Sequence, residues 1–179
     1  MDKFLEKKGV FEYISSGKIL DLGCGNNNFD IINFAERGFL IDAVDKDLSN
    51  ISFIKKQKNK NINAILGLME EFKPKPNEYS LIIVNNSLPF VSSKEKVKEI
   101  INNLSNALVA NGFIYLTLFG QKDEWNKDRS MSFFTQEEGL NLLDNLGLRR
   151  YFISTEEGYG KTIKGGMKYW QIHKFLYRR

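Results

Sequence analysis

The chain has 179 residues and a mass of 20.7 kDa, with 42% hydrophobic and 27% charged side chains, enough for one domain with a substantial core. Its single cysteine and single histidine exclude a disulfide framework and argue against a Cys/His metal cluster, so no metal is expected. The formal charge of +4 is diffuse, with its densest basic run at residues 55–60. No apolar run reaches membrane-spanning length and no signal peptide is evident, so we expect a cytoplasmic protein in which residues 1–179 form a single domain.

Apolar periodicity and turn residues predict one continuous alternation of helices and strands. Asp47 is placed to cap one helix, and Ser92-x-x-Glu95 and Thr135-x-x-Glu138 have the spacing of capping boxes at two others. Two final apolar runs, joined by a Gly- and Lys-rich segment, predict a terminal antiparallel pair. In chain order the prediction is a helix at 2–14, a strand at 18–22, a helix at 27–37, strands at 40–44, 62–66, 81–84 and 113–119 with helices between them, and strands at 148–155 and 169–177.

Residues 18–25, with the sequence KILDLGCG, are the most informative stretch of the chain. They predict a buried strand that runs into a glycine turn, followed by a helix and by a second strand that ends on Asp45. Gly23 and Gly25 let the backbone turn sharply and approach a ligand, and the next helix points free N–H groups at it. Asp45 lies about twenty residues past the turn, where a carboxylate accepts hydrogen bonds from ribose hydroxyls. The pattern predicts half of a nucleotide-binding βαβ unit.

The residues around the turn also indicate which nucleotide would bind. A dinucleotide site prefers a third glycine beside the pyrophosphate, and here that position is Asn28. Asp21 would place a negative charge near the turn, which is unfavourable for a phosphate. The same charge suits a cationic amino-acid end such as the ammonium of S-adenosylmethionine.

Residues 18–47 resemble the first two motifs of class I S-adenosylmethionine-dependent methyltransferases. The resemblance continues at residues 65–71, which are similar to the segment that lines the adenine, and at residues 79–85, which are similar to the fourth strand. It implies an α/β fold: a Rossmann-like, seven-stranded, mostly parallel sheet with helices on both faces and an antiparallel last strand. It implies S-adenosylmethionine as cofactor, and the predicted cofactor-binding residues are Asp21, Gly23, Cys24, Gly25, Asn27, Asp45, Lys46, Leu68, Met69, Glu70, Asn85 and Leu88.

Two positions depart from the family pattern. Asn27 replaces the third small residue after the glycine turn, and Leu68 replaces the acid that often receives the adenine amino group. Asn enters positive φ more readily than most residues, so the first departure is tolerable. We expect Leu68 to pack on the adenine ring or its rim, and Glu70 not to replace the missing carboxylate directly. These departures leave open an alternative, a catalytically silent methyltransferase-like partner subunit.

The segment after the fifth predicted strand is the sequence-level candidate for the acceptor pocket. Residues 119–134 form a long connection that combines Asp123 and Trp125 with a possible glycine hinge, which favours a pocket wall or a lid. Trp170 is a second candidate, although both tryptophans could equally cover the edge of the sheet. His173 lies within a strand pattern, where a structural role competes with proton transfer.

Residues 87–90, Ser-Leu-Pro-Phe, test a nucleic-acid alternative. Methyltransferases that act on base amines carry an Asp/Asn/Ser-Pro-Pro-aromatic motif after the fourth strand, but the first proline is missing here, and chance resemblance is the better interpretation. Residues 119–135 and 158–170 resemble small bacterial methyltransferases near the tellurite-resistance type. This resemblance implies a small-molecule acceptor more than RNA; an RNA methyltransferase stays open as an alternative, and the atom that is methylated and the oligomeric state are not predicted.

Overall fold

The computed structural model describes residues 2–25, 29–162 and 165–179, and a single mixed sheet lies at its centre. The strands are β1 (Lys18–Leu22), β2 (Leu40–Asp45), β3 (Ile62–Leu66), β4 (Tyr79–Val84), β5 (Leu108–Gly120), β6 (Phe133–Phe134), β7 (Arg149–Lys161) and β8 (Met167–Arg178). The helices are α1 (Asp2–Lys7), α2 (Phe29–Glu36), α3 (Leu48–Lys56), α4 (Lys94–Ala107) and α5 (Gln136–Asp144).

The strand order is β3-β2-β1-β4-β5-β8-β7, and the two-residue β6 pairs with the end of β5. Strands β1 to β5 pair in parallel, whereas β8 runs antiparallel to both of its neighbours. The predicted seven-stranded, mostly parallel sheet with an antiparallel last strand is therefore confirmed. The short β6 adds an eighth strand that the sequence did not predict.

Both faces of the sheet are covered, which explains why its central strands are apolar throughout. All six residues of β4 are buried. Helices α4 and α5 pack on one face, on a cluster that includes Leu20 and Leu22, and α1, α2 and α3 pack on the other, on a cluster that includes Ile19. Parallel strands buried on both faces have this near-continuous hydrophobic pattern.

The helix caps confirm two predictions and correct a third. The Asp47 carboxylate accepts a hydrogen bond from the Ser49 backbone N–H, and Thr135 and Glu138 form a complete capping box. Helix α4, however, is capped by Ser93, so the prediction of Ser92 is wrong by one residue. The Ser93 hydroxyl reaches both the backbone of the first turn and the Glu95 carboxylate, a geometry that motif spacing alone does not distinguish.

The predicted leading helix over residues 2–14 is also shorter than expected. Helix α1 ends at Lys7, Gly9 adopts φ +69°, and a separate 3₁₀ turn spans Val10–Glu12. Glycine reaches this left-handed conformation without steric cost and ends the helix there. The turn brings Val10 into the core, so the apolar spacing continues across the break.

The last two strands extend further than the sequence predicted. Pairing of β5 with β8 ends at Phe119 and Ile172, whereas β7 and β8 continue to pair as far as Lys161 and Met167. The far part of this hairpin therefore projects beyond the end of β5, beside the loop that follows it. No helix in the described ranges has the length and apolar character needed to cross a membrane.

Candidate cofactor and acceptor sites

The glycine turn after β1 is shaped by close backbone contacts. Gly23 adopts φ +78° and donates its N–H to the Val44 carbonyl at 2.8 Å, and a Cβ at this position would lie 2.3 Å from the Cβ of Ser87. Gly25 adopts φ +60°, but a Cβ there would meet none of the residues that the structure describes within 4 Å. Gly23 is thus required by packing against the loop after β4. Gly25 instead faces open space, as a ligand-facing glycine does.

Asp45 holds this turn in place. Its carboxylate accepts a hydrogen bond from the Gly25 N–H at 2.7 Å and another from the Asp47 N–H at 2.8 Å. Each carboxylate oxygen has two lone pairs, so acceptor capacity remains for the two hydroxyls of a ribose. The sequence predicted Asp45 as a ribose ligand. It did not predict the hydrogen bond by which the Asp45 carboxylate also holds the Gly25 backbone.

Among the carboxyl groups of the site, Asp21 has the pKa that departs most from its ordinary value. Burial, together with the negative charges of Asp30 and Asp45, raises the pKa of its carboxyl from an ordinary value of 3.8 to about 7. The charges of Asp30 and Asp45 therefore act on Asp21 at the carboxyl end of β1. A bound ammonium would relieve their mutual repulsion, so the group fits the cationic end of S-adenosylmethionine. The adjacent Cys24 thiol is buried, and burial raises its pKa, which argues against a role as nucleophile.

The predicted adenine side is formed by exposed apolar residues at the ends of β2 and β3. Leu66 and Leu68 are 52% and 43% exposed, and Leu48 at the start of α3 is 62% exposed. The Gly67 N–H donates to the Asp45 carbonyl at 3.0 Å, which ties this segment to the ribose side. Exposed leucines next to Asp45, the predicted ribose ligand, fit an apolar surface for a planar base.

The remaining predicted cofactor residues differ in position. Lys46 and Asn85 are exposed at the ends of β2 and β4, Met69 and Glu70 are half-buried, and Leu88 is fully buried in the core. The Met69 methyl would lie 3.3 Å from a Cβ at Gly23, so this side chain touches the glycine turn. Asn27 falls outside the described residues. Cofactor contact by each of these residues stays a prediction.

Asp123, Trp125 and Trp170, the predicted acceptor residues, come together in the structure around Lys168. The Lys168 ammonium lies 3.9 Å from the ring centroids of both tryptophans and 5.2 Å from that of Phe119, and it pairs with the Asp123 carboxylate. We call Phe119, Trp125 and Trp170 the aromatic cage. Lys168 is only 2% exposed, so its own ammonium fills the cage.

Backbone contacts attach the loop after β5 to the start of β8. The Asp123 carboxylate accepts from the N–H groups of Trp125 at 3.0 Å and Gln171 at 3.2 Å, and the Glu124 carboxylate accepts from Tyr169 N–H at 2.9 Å. A lid function for residues 119–134 stays a prediction, but this part of it is fastened to the hairpin. Lys168 was missed by the sequence reading, because a lysine between exposed residues near a turn is usually solvated.

His173 does not join the other acceptor candidates. It is buried on the α5 side of the sheet, and its Nδ1 lies 2.7 Å from the Thr155 hydroxyl. Burial lowers the pKa of the imidazole below its ordinary value of 6.5. Its role in proton transfer stays a prediction, and its surroundings favour a neutral structural histidine.

A separate open cleft begins directly after β4. It has a volume of about 250 Å³ and lies between α1, the end of β4, and strands β5, β7 and β8. We call it the Asn85 cleft, and its lining includes Phe4, Asn85, Asn86, Tyr115, Glu156 and Lys174. Asn85 was predicted from sequence as a cofactor residue, and the other five were not named as site residues. In the sequence, Tyr115 and Phe4 have the spacing of core residues. Glu156 and Lys174 have the spacing of solvent-facing strand residues.

Comparison with known proteins agrees with this geometry. Residues 4–153 match the sequence model described as "Tellurite resistance protein TehB". This chain belongs to the TehB family. Comparison with curated proteins gave no match. The sequence resemblance to small class I methyltransferases of the tellurite-resistance type is therefore confirmed.

Solved structures share the fold of this TehB family member at low sequence identity. TehB from Haemophilus influenzae aligns with a TM-score of 0.80 at 19% identity, over 100% of this chain and 62% of that protein. A methyltransferase of Methanosarcina mazei aligns with a TM-score of 0.73 at 16% identity, over 95% of this chain and 96% of that protein. A methyltransferase of Leishmania major aligns with a TM-score of 0.74 at 16% identity, over 98% of this chain and 69% of that protein. The last two are described as S-adenosylmethionine-dependent. Family and fold together support a methyltransferase that uses S-adenosylmethionine.

The loop after β4 in this TehB family member differs from a base-gripping loop. The Ser87 hydroxyl donates to the Leu22 carbonyl at 2.9 Å, and Leu88 and Pro89 are buried. Within residues 87–90 only Phe90 is exposed, at 48%, and its ring lies 6.2 Å from that of Trp125. Ser87 therefore supports the glycine turn. In the described ranges, no three His, Cys, Asp or Glu side chains are grouped so that they could hold a metal ion.

Proposed function

We propose that this protein transfers a methyl group from S-adenosylmethionine to a small-molecule acceptor bound in the Asn85 cleft. The observation that carries the proposal is the position of the cleft. Asn85 and Asn86 line it, and the next residue, Ser87, packs against Gly23 of the glycine turn. An acceptor in the cleft would lie beside the cofactor, as methyl transfer requires.

Each part of the predicted cofactor site has a distinct task. Asp21 would attract the cofactor ammonium, Asp45 would hold the ribose hydroxyls, and Leu68 would cover the base. When bound, S-adenosylmethionine supplies a methyl group on a sulfonium whose leaving group is already good. The protein then has to align the acceptor, hold it there and exclude water, and a general base is not required for every acceptor.

The size of the cleft favours a small acceptor over a nucleic acid. Pockets for drug-sized ligands have volumes of about 300–1,000 Å³, and this cleft is smaller. Ser87, at the polar position of the base-gripping motif, is buried and hydrogen-bonded to the Leu22 carbonyl, which also argues against a flipped base as the acceptor. We also propose that residues 1–179 act as one domain and that the protein is cytoplasmic.

Isothermal titration calorimetry with S-adenosylmethionine and S-adenosylhomocysteine tests the cofactor part of the proposal. We expect binding of both, and a loss of at least tenfold in affinity for Asp45→Ala, because the variant lacks the ribose ligand and the brace on Gly25. Asp47→Ala serves as a matched control, since the Asp47 carboxylate caps α3 and the variant keeps the backbone N–H that donates to Asp45. Absence of binding at millimolar ligand, with the protein folded, would reject the proposal.

A further inference from the structure

The Asn85 cleft contains one pair of opposite charges. The Glu156 carboxylate and the Lys174 ammonium form a salt bridge between adjacent strands β7 and β8, with side chains 63% and 19% exposed. Both residues line the cleft, so the pair is accessible to a ligand. The two charges also cancel, and the cleft as a whole has no excess of either sign.

The other walls add fixed polar groups and an aromatic surface. The Asn86 backbone N–H donates to the Thr117 hydroxyl at 2.7 Å, and that hydroxyl donates to the Asn86 side-chain oxygen at 3.1 Å, which fixes the amide. The rings of Phe4 and Tyr115 lie 5.3 Å apart. Burial raises the pKa of the Tyr115 hydroxyl, and the nearby Glu156 charge adds to this, so the phenol stays protonated and can donate a hydrogen bond.

The neutral charge pair restricts the ligands that can bind between its members. A cation that displaces Lys174 from Glu156 leaves the lysine without its partner, and an anion that displaces Glu156 leaves the carboxylate without its partner. In either case a new ion pair with the ligand replaces the Glu156–Lys174 pair, and one of the two protein charges is left without a partner. A ligand with both charges satisfies Glu156 and Lys174 together.

We propose that the Asn85 cleft binds a zwitterionic acceptor of the amino-acid type, with its ammonium on Glu156 and its carboxylate on Lys174. This inference rests on the proposed function and adds the chemical class of the acceptor. The amides of Asn85 and Asn86 and the Tyr115 hydroxyl then contact the rest of the molecule. The cleft volume of about 250 Å³ limits the acceptor to a small metabolite.

The test uses three probes that differ in charge and share a side chain: norvaline, its methyl ester and N-acetylnorvaline. Each is titrated calorimetrically into the full chain saturated with S-adenosylhomocysteine, so that the cofactor site is filled and no turnover occurs. We expect norvaline to bind at least tenfold more tightly than the singly charged analogues. Lys174→Met and Glu156→Gln should each weaken norvaline binding at least tenfold, and Lys174→Met should remove the preference for norvaline over its ester.

Lys122→Met is the matched control, because Lys122 forms a 3.4 Å pair with Glu157 outside the cleft. It should leave norvaline affinity unchanged within about twofold, a difference under 1 kcal/mol. The inference is overturned if the three probes bind equally, or if norvaline does not bind up to 50 mM. It is also overturned if both cleft variants bind norvaline as the wild type does, or if the protein binds tellurite in a Lys174-dependent way but does not bind norvaline. If S-adenosylhomocysteine itself does not bind, the proposed function fails instead.

Discussion

Two lysine–carboxylate pairs lie near the same end of the sheet, and they differ in their access to solvent. Lys168 and Asp123 are enclosed by the aromatic cage, with side chains 2% and 0% exposed, whereas Lys174 and Glu156 face the open Asn85 cleft. The first pair is satisfied by the protein itself and connects the loop after β5 to β8. The second can exchange its partner for a ligand. Burial, and not residue type, separates a structural pair from a candidate binding pair.

Removing one charge from each pair should give the largest contrast. Lys168→Met leaves the Asp123 carboxylate buried without its cation, and we expect a loss of about 3–5 kcal/mol in the free energy of unfolding. Lys174→Met removes a partly exposed pair and should cost at most about 1 kcal/mol. Urea denaturation of both variants measures the difference.

The double variant Lys168→Met/Asp123→Asn is the control for the buried pair. It removes both charges and keeps one side-chain oxygen, which can replace one of the two Asp123 oxygens that accept from the Trp125 and Gln171 N–H groups, so part of the lost stability should return. If Lys168→Met costs no more than Lys174→Met, the cage pair does not fasten the loop to the hairpin.

Asp21→Asn should separate stability from cofactor binding. The unfolded carboxyl loses its proton near pH 4, but the folded pKa is about 7, so wild-type stability falls as pH rises between these values. The variant lacks this penalty and should be more stable than wild type above pH 7, by about 2–4 kcal/mol. Thermal and urea unfolding at pH 5 and pH 8 measure the effect.

Cofactor affinity should change in the opposite direction. The cofactor ammonium is attracted to the ionised carboxylate, so wild-type affinity for S-adenosylmethionine should increase from pH 6 to pH 8. Asp21→Asn should bind more weakly and without this pH dependence. A wild-type affinity that is flat over this range would show that Asp21 does not contact the cationic end.

Leu68→Asp tests the adenine side of the site with a smaller effect. Leu68 is half-exposed, so an acid is tolerated sterically and could accept a hydrogen bond from the adenine amino group. We expect cofactor affinity to be equal or better by about 0.5–1.5 kcal/mol, measured by titration calorimetry. A large loss would refute the placement of Leu68 at the adenine.

Trp125→Ala should have the smallest effect on cofactor binding. Trp125 contacts Phe90, Trp170 and Lys168, which are not among the residues assigned to the cofactor, so affinity should stay within about threefold, under 1 kcal/mol. Loss of methyl transfer with retained binding would support an acceptor role. Lost binding together with a collapsed melting temperature would make Trp125 an ordinary core residue.

The fold could be predicted from local signals that belong to single elements. The βαβ pattern around Gly23 and Asp45, the cap at Asp47 and the capping box at Thr135 all appear in the structure, because each depends on residues close in the chain. The errors are local too: the cap moved from Ser92 to Ser93, and the first helix ended before Gly9. Without the backbone geometry, the sequence does not decide which of two adjacent serines caps a helix, or whether a glycine within an apolar period ends it.

The sequence by itself therefore determined the first βαβ unit and its glycine turn, and it placed Asp21 and Asp45 beside that turn, since short-range backbone requirements restrict which residues can occupy those positions. Only the tertiary structure brought Lys168 between Trp125 and Trp170, and Glu156 and Lys174 beside Asn85. Trp125 and Asn85 lie far from the β7–β8 hairpin in the chain, and in isolation each of these residues has the pattern of a solvated side chain or a core ring. Their roles follow from burial and from partners across the sheet, which no local pattern records.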